Sequence, residues 1–316
     1  MEPALPRARL LALIPLPRAA AAAIGERHDL CALPGASAEE AIARFGGAGI
    51  RAVVTNGSTG ISAAQMERLP DLEIVCAFGA GYENVDVAAA RARGIVVTYA
   101  PGANDATVAD HALGLMLALA RGYPELDAAV RRGEWHKARG ERATLNGARA
   151  GIIGLGRIGA RIASRAAAFD MSVSYCTRTP RPDVPWRHCP SVALLARESD
   201  FLIAACPGGA GTRHLVDTGV LAALGPAGYF VNISRGSVVD TAALVAALQS
   251  GGIAGAGLDV FEGEPDIPAA LLECRNTVFT PHIAGRSPAA IATQTNMLLA
   301  GLDAHLRGAV VPCRIQ

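Results

Sequence analysis

The sequence predicts an α/β protein made of two units, each built on a parallel sheet with helices covering both faces. Three observations predict it. Short apolar runs of strand length recur along the whole chain, and alanine-rich stretches with helical spacing separate them. The runs are apolar throughout instead of alternating, which is the pattern of strands buried on both faces. The length of 316 residues, with 51% hydrophobic and 18% charged residues, allows two domains with separate cores.

The N-terminal run "LLALIPLPRAAAAAIG" reads as a first strand and helix, because Pro15 and Pro17 interrupt what would otherwise resemble a signal peptide. Strand candidates follow at "RAVVTN" (51–56), "LEIVCAFG" (72–79) and "GIVVTY" (94–99). A long helix over roughly 104–121 then leads to a second set. That set comprises "ARAGIIGLG" (148–156), "MSVSYCT" (171–177), "DFLIAAC" (200–206), "YFVNIS" (229–234), "AGAGLDVF" (254–261) and "NTVFTPHI" (276–283). Between the strands, "ISAAQMERLP", "IGARIASRAAAFD", "VALLARES" and "TAALVAALQSG" have helical spacing. The final segment, "SPAAIATQTNMLLAGLDAHLRG", is a helix with no strand of its own, expected to pack back on the first unit. The expected domains are therefore 1–99 with 287–316, and 100–286. A ligand is expected in the cleft between them.

Composition excludes several functions. A formal charge of +1 offers no attraction to nucleic acid or to an acidic membrane surface. Apolar stretches such as "ALGLMLALA" (112–120) fall far short of the ~20 residues that span a bilayer. Seven cysteines occur without a Cys-x-x-Cys pair, and no metal site is expected. Cys76, Cys176 and Cys206 lie in apolar runs, where a thiol behaves as a small hydrophobe. The composition is that of a reduced, cytoplasmic protein.

The motif Gly154-x-Gly156-x-x-Gly159 stands between a strand and a helix. In that setting the glycines serve a tight turn, close approach to a pyrophosphate, and helix–strand packing. The helix N-terminus adds unpaired N–H groups for the phosphates. An acid at the end of the next strand would favour NAD. This chain has Thr177, Arg178 and Thr179 there, then Arg181, with no acid before Asp183. A guanidinium and hydroxyls suit a 2′-phosphate, so NADPH is the expected cofactor, with NADH possible. The alternative for Arg178 is a solvated surface charge.

Strands of an open α/β sheet present their carboxyl ends to the ligand. Arg235 in "FVNISRGS", Asp259 in "GLDVFEGEP" and His282 in "FTPHIAG" all sit at such ends. A guanidinium grips a carboxylate through paired hydrogen bonds, and a histidine moves protons near neutral pH. Glu264, before Pro265, is placed to orient the imidazole.

These segments, with "LNGARAGIIGLGRIGARIA" and "TPHIAG", resemble the D-isomer-specific 2-hydroxyacid dehydrogenase family over about residues 50–300, and within it the glyoxylate/hydroxypyruvate reductases. The resemblance implies two Rossmann-like domains with the cofactor and substrate in the interdomain cleft. It implies that Arg235 binds the substrate carboxylate, that Glu264 pairs with His282, and that His282 is the general acid/base. Asp259 would meet the nicotinamide carboxamide. Leu155, Arg157 and Ile158 within the glycine motif, with Cys206, Pro207, Thr212, Ile233 and Gly285, would complete the cofactor contacts. "FGAGYENVD" (78–86) resembles the family's substrate loop, in which Gly79, Ala80 and Gly81 would bind the carboxylate through backbone groups.

The expected activity is reduction of a small 2-oxo acid to the D-2-hydroxy acid. A dinucleotide-sensing binding protein of the same fold is the alternative, and the intact Arg235, Glu264 and His282 set counts against it. Departures exist: Arg286, Ser287 and Pro288 stand where the family often has a threonine, and the loop "TNGSTG" (55–60) is small and polar. Formate-oxidising relatives carry Gln at the position of Glu264, which argues against formate. A homodimer is expected through "RRGEWHKARG" (131–140). There Trp135 either reaches the partner's substrate pocket or packs within the contact.

Overall fold

The computed structural model describes residues 7–47 and 49–315. Residues 1–6 and 316, at the ends of the expected first domain, lie outside the described residues. Two compact units emerge, Met1–Asn104 with Gly285–Gln316, and Asp105–Ala284. The chain thus changes unit at 104/105 and 284/285, where the sequence placed the changes after 99 and after 286. Local bonding accounts for the first shift. Ala100 donates to the carbonyl of Gly79 at 2.8 Å, which ties the segment after 99 to the first unit. Asp105 opens the long helix with its carboxylate on Arg157, inside the second unit.

The first unit holds strands β1 (Arg9–Ala12), β2 (Asp29–Cys31), β3 (Ile50–Thr55), β4 (Ile74–Ala77) and β5 (Val96–Thr98). All neighbours are parallel, in the order β2-β1-β3-β4-β5. Helices start where the sequence supplies caps: Ser37 with Glu40 and Ser62 with Gln65 each form a reciprocal capping box. The C-terminal helix Pro288–Leu306 starts at the Ser287 cap and buries Leu298, Leu299 and Leu302 against Leu10, Ile24 and Ile74. The segment therefore packs on the first unit through this apolar stripe.

The second unit holds β6 (Arg149–Ile153), β7 (Ser172–Cys176), β8 (Arg187–His188), β9 (Phe201–Ala204), β10 (Tyr229–Asn232), β11 (Gly255–Leu258) and β12 (Thr277–Phe279). They form one parallel sheet, ordered β12-β11-β10-β9-β6-β7-β8. This is the doubly wound Rossmann order, reversing direction at β6/β9, where a dinucleotide crevice is expected. The short strands β2 and β8 escaped the sequence reading. β8 lies in "RPDVPWRHC", where prolines and charges obscure the apolar run that marks a strand.

Register sets the functional edge. Asn232 of β10 aligns with Ala204 of β9 and Leu258 of β11, and Leu258 aligns with Phe279 of β12. Arg235, Asp259 and the turn bearing His282 therefore all follow the carboxyl ends of adjacent strands. The core beneath them, including Ile203, Phe230, Val231 and Leu258, is almost fully buried. Among the described residues no helix is long and apolar enough to cross a membrane, and no group of three or more His, Cys, Asp or Glu could hold a metal ion.

Candidate active site

The glycine motif takes the shape its three tasks require. Gly154 has φ +90°, and a Cβ there would lie 2.8 Å from the Cα of Cys206. A Cβ on Gly159 would stand 2.1 Å from the carbonyl oxygen of Gly154, so the helix Arg157–Ala168 comes this close to β6 only without one. Gly156 differs: a Cβ there meets nothing within 4 Å. The open side of the turn thus lies at the helix N-terminus, where no side chain caps the first amides. That arrangement fits a dinucleotide pyrophosphate. Leu155 is buried and Arg157 is exposed, its Nε 2.7 Å from Asp105. Ile158 packs partly against the core.

The loop after β7 separates two arginines that look equivalent in the sequence. Arg181 pairs with Asp183 and donates from Nη1 to the carbonyl of Leu155 at 3.0 Å. The guanidinium holds the Asp183 carboxyl down to about 2. Arg178 is exposed and makes no hydrogen bond or ion pair with the described residues. Thr177 spends its hydroxyl proton on the carbonyl of Thr179 at 2.7 Å, so its oxygen remains as an acceptor and the hydroxyl is not the donor that the sequence led us to expect.

After β9, the Cys206 thiol is pushed up to about 11 by burial, and Thr212 donates to the carbonyl of Pro207 at 2.7 Å. This bond closes the loop that begins at the sheet edge. Ile233 is buried under the adjacent strand end. Gly285 belongs to the first unit, as do Gly79, Ala80 and Gly81; Gly79 has φ +127°, a backbone that only glycine adopts readily.

Arg235, Glu264 and His282 all belong to the second unit. Gly236 explains how the first of them meets the others. A Cβ there would fall 1.9 Å from the carbonyl carbon of Phe261, so glycine lets the end of β10 press against the segment that leads to Glu264. Asn232, fully buried, braces this turn: its Nδ2 donates to the Arg235 carbonyl at 2.9 Å, and its Oδ1 accepts from the amide and hydroxyl of Ser234. The motifs of the sequence do not point to Asn232. Its signal was a polar residue inside the apolar run "YFVNIS".

Glu264 accepts from the Phe261 amide through Oε1 at 2.7 Å, and its Oε2 lies 2.7 Å from His282 Nδ1. Burial alone would raise its carboxyl. The hydrogen bond and charge of His282, the Phe261 amide and the Arg235 guanidinium outweigh burial and hold it below the usual carboxylate range. An ionised Glu264 only accepts, so His282 Nδ1 carries the hydrogen and Nε2 is the nitrogen left for chemistry. The ring is 38% exposed, open enough to meet a ligand.

Asp259 sits 1% exposed at the end of β11. Its Oδ1 accepts from the Thr280 hydroxyl at 2.6 Å and the Ile283 amide at 2.9 Å, and its Oδ2 accepts from the Ala284 amide at 2.9 Å. Its carbonyl accepts from the His282 amide at 2.9 Å. Within the chain, then, Asp259 shapes the turn in which His282 takes φ +52°. The arrangement can hold an anion beside a proton donor of fixed tautomer.

Comparison with known proteins supplies the remaining findings. The family described as D-isomer specific 2-hydroxyacid dehydrogenase, NAD binding domain, matches residues 113–284. A glyoxylate/hydroxypyruvate reductase A of Arabidopsis thaliana is 43% identical over 82% of this chain and 83% of its own length. A hydroxyphenylpyruvate reductase of Plectranthus scutellarioides is 42% identical over the same shares. Among solved structures, an NADPH-dependent glyoxylate/hydroxypyruvate reductase of Sinorhizobium meliloti, in complex with NADP and malonate, is similar at TM-score 0.89 and 37% identity, covering 98% of this chain and 97% of that one.

One expectation follows from the Glu264 geometry. Its folded pKa lies below the unfolded value of about 4.3, so its contribution to stability is complete above that value and is lost as pH falls through the lower, folded one. The difference in urea midpoint between wild type and Glu264→Gln should therefore shrink as pH falls below about 4. A difference that holds level down to pH 3 would mean that the carboxylate is not stabilised by its partners.

Proposed function

The chain belongs to the D-isomer-specific 2-hydroxyacid dehydrogenase family, and from that premise we propose that it reduces a small 2-oxo acid of the glyoxylate or hydroxypyruvate type to the D-2-hydroxy acid, preferring NADPH. The observation that carries this reading is the 2.7 Å Glu264–His282 pair, in the same unit and at the same sheet edge as Arg235 and the glycine motif. A protein that only sensed dinucleotides would have no use for an oriented proton donor.

The residues divide the work by chemistry. Arg235 holds the substrate carboxylate, which sets the 2-oxo group beside His282. Gly154, Gly156 and Gly159 seat the pyrophosphate, and Asp259 Oδ2, with a single donor among the described residues, keeps capacity to accept from the nicotinamide carboxamide. When bound, the reduced nicotinamide supplies a hydride to C2. His282 Nε2 gives a proton to the C2 oxygen as negative charge gathers there, so the product is a neutral hydroxyl. The positive charges of His282 and Arg235 stabilise that oxygen before the proton arrives. Glu264 keeps Nδ1 protonated throughout and holds the ring in place.

The direct test mixes the protein with NADPH and glyoxylate or hydroxypyruvate and follows loss of absorbance by the reduced nicotinamide. His282→Ala should lower turnover on the order of 10²- to 10⁴-fold while NADPH still binds. Near-normal turnover of that variant at neutral pH would remove His282 from the mechanism.

Cofactor preference rests on Arg178, the exposed guanidinium in the loop after β7. Hydrogen bonds to a charged group contribute roughly 1.5–3 kcal/mol, or about 10- to 150-fold, and solvent screening favours the lower end. Arg178→Ala should raise the KM for NADPH and leave that for NADH nearly unchanged, and Thr177→Asp should reverse the preference. Steady-state kinetics with both cofactors decides this, and a wild type that uses NADH equally well would return Arg178 to the role of a surface charge.

We also assign the exposed group Tyr123, Val130 and Trp135, which are 52%, 51% and 57% exposed, to a contact with a second copy of the chain. Three large apolar side chains exposed within one short stretch of chain favour burial against a partner. Light scattering at micromolar concentration should give twice the 32.4 kDa chain mass. A single-chain mass would overturn the assignment.

A further inference from the structure

We infer that His111 is a positioning residue for His282, acting through Thr280 and Asp259. The inference rests on the reading of His282 as the proton donor. His111 lies in the helix Asp105–Arg121, which packs against β11 closely enough that a Cβ on Gly257 would stand 3.1 Å from Leu115 and Leu119. Most of that helix face is apolar, and leucine or alanine would serve packing at 111 as well as histidine does. The imidazole instead reaches past the strand: its Nε2 is 2.9 Å from the Thr280 hydroxyl, which is 2.6 Å from Asp259 Oδ1.

The direction of this chain of bonds is fixed by proton counting. A hydroxyl has one hydrogen to give, and a carboxylate can only accept. Thr280 must therefore donate to Asp259, which obliges His111 to carry its hydrogen on Nε2 and donate to Thr280. The line of donors ends on the carboxylate that also gathers the amides of Ile283 and Ala284. Those bonds flank His282 on both sides. They hold it at φ +52°, a conformation a non-glycine residue keeps only where its surroundings over-determine it. Without the donor at 111, the Thr280 hydroxyl is free to turn from Asp259, the turn loosens, and Nε2 of His282 drifts from the substrate oxygen. The pyrophosphate is seated at the glycine motif, outside this line, and the line meets Asp259 through Oδ1, whereas the carboxamide is assigned to Oδ2.

The experiment compares His111→Leu and Thr280→Val, which remove a donor, with His111→Gln and Thr280→Ser, which keep one, and takes His282→Ala as reference. Turnover is measured at saturating glyoxylate with whichever reduced nicotinamide the wild type uses better, and the dissociation constant of that nucleotide is measured by protein fluorescence. Because misplacing a reacting group by about 1 Å costs up to ~10²-fold, the two donor-free variants should lose about 10- to 100-fold in kcat. Their nucleotide affinity should stay within about twofold of wild type, and the donor-keeping variants should recover to within about threefold in kcat. Donor-free variants that keep full kcat, or donor-keeping variants as slow as donor-free ones, would overturn the inference. If His111→Leu does not fold, His111→Asn, whose shorter amide falls short of Thr280, replaces it under the same criteria. The His282→Ala reference separates the two levels. An active His282→Ala brings down the proton-donor reading itself, whereas an inactive His282→Ala beside an active His111→Leu brings down only the role of His111.

Discussion

A buried carboxylate constrains everything around it. Asp259 is removed from water at the end of β11, and an ionised group in such a place must be surrounded by donors. The nearest donors are the hydroxyl and amides of the turn that follows β12, so the chain there folds around the carboxylate. Two strand ends become one rigid piece. His282 is carried on that piece, and Glu264 reaches it from the segment that leaves Asp259 in the other direction, anchored by the Phe261 amide. The histidine pair is thus held at both ends by bonds that do not involve substrate. Preorganisation of this kind is what the proton transfer proposed for His282 requires.

The sheet delivers the third member. Parallel neighbours in register place the ends of β10, β11 and β12 side by side, and the glycine after Arg235 removes the one atom that would hold the segments apart. Buried Asn232 then locks the backbone of the turn. A positive guanidinium, a negative carboxylate and a tautomerically fixed imidazole share a small volume. Their mutual electrostatics is visible in the lowered Glu264 carboxyl, to which both His282 and Arg235 contribute.

The arginines after β7 show how little a motif says about which of its members is available. Arg178 and Arg181 are three residues apart in one polar stretch, and either side chain is long enough to meet a phosphate. Tertiary contacts separate them: Arg181 is neutralised by Asp183 and docked on the glycine motif through Leu155, which stiffens the loop, while Arg178 keeps its charge in solvent.

From the sequence alone, the alternation of apolar strands with alanine-rich helices determined two parallel sheets, because a strand buried on both faces has to be apolar at every position. The spacing of Gly154, Gly156 and Gly159 determined the shape of the phosphate turn, because only a residue without Cβ fits at its first and third positions. The candidates Arg235, Asp259 and His282 were legible too, as polar residues at the ends of strands, and Glu264 as an acid in the turn before Pro265. What the tertiary structure alone decided is which polar groups answer one another. Asp259 braces the histidine turn, Asn232 locks the arginine turn, and His111, 148 residues before Asp259 by their numbering, joins the same line of bonds. Such partners are chosen by distance in space and by the count of protons each can give. Neither leaves a trace in spacing along the chain.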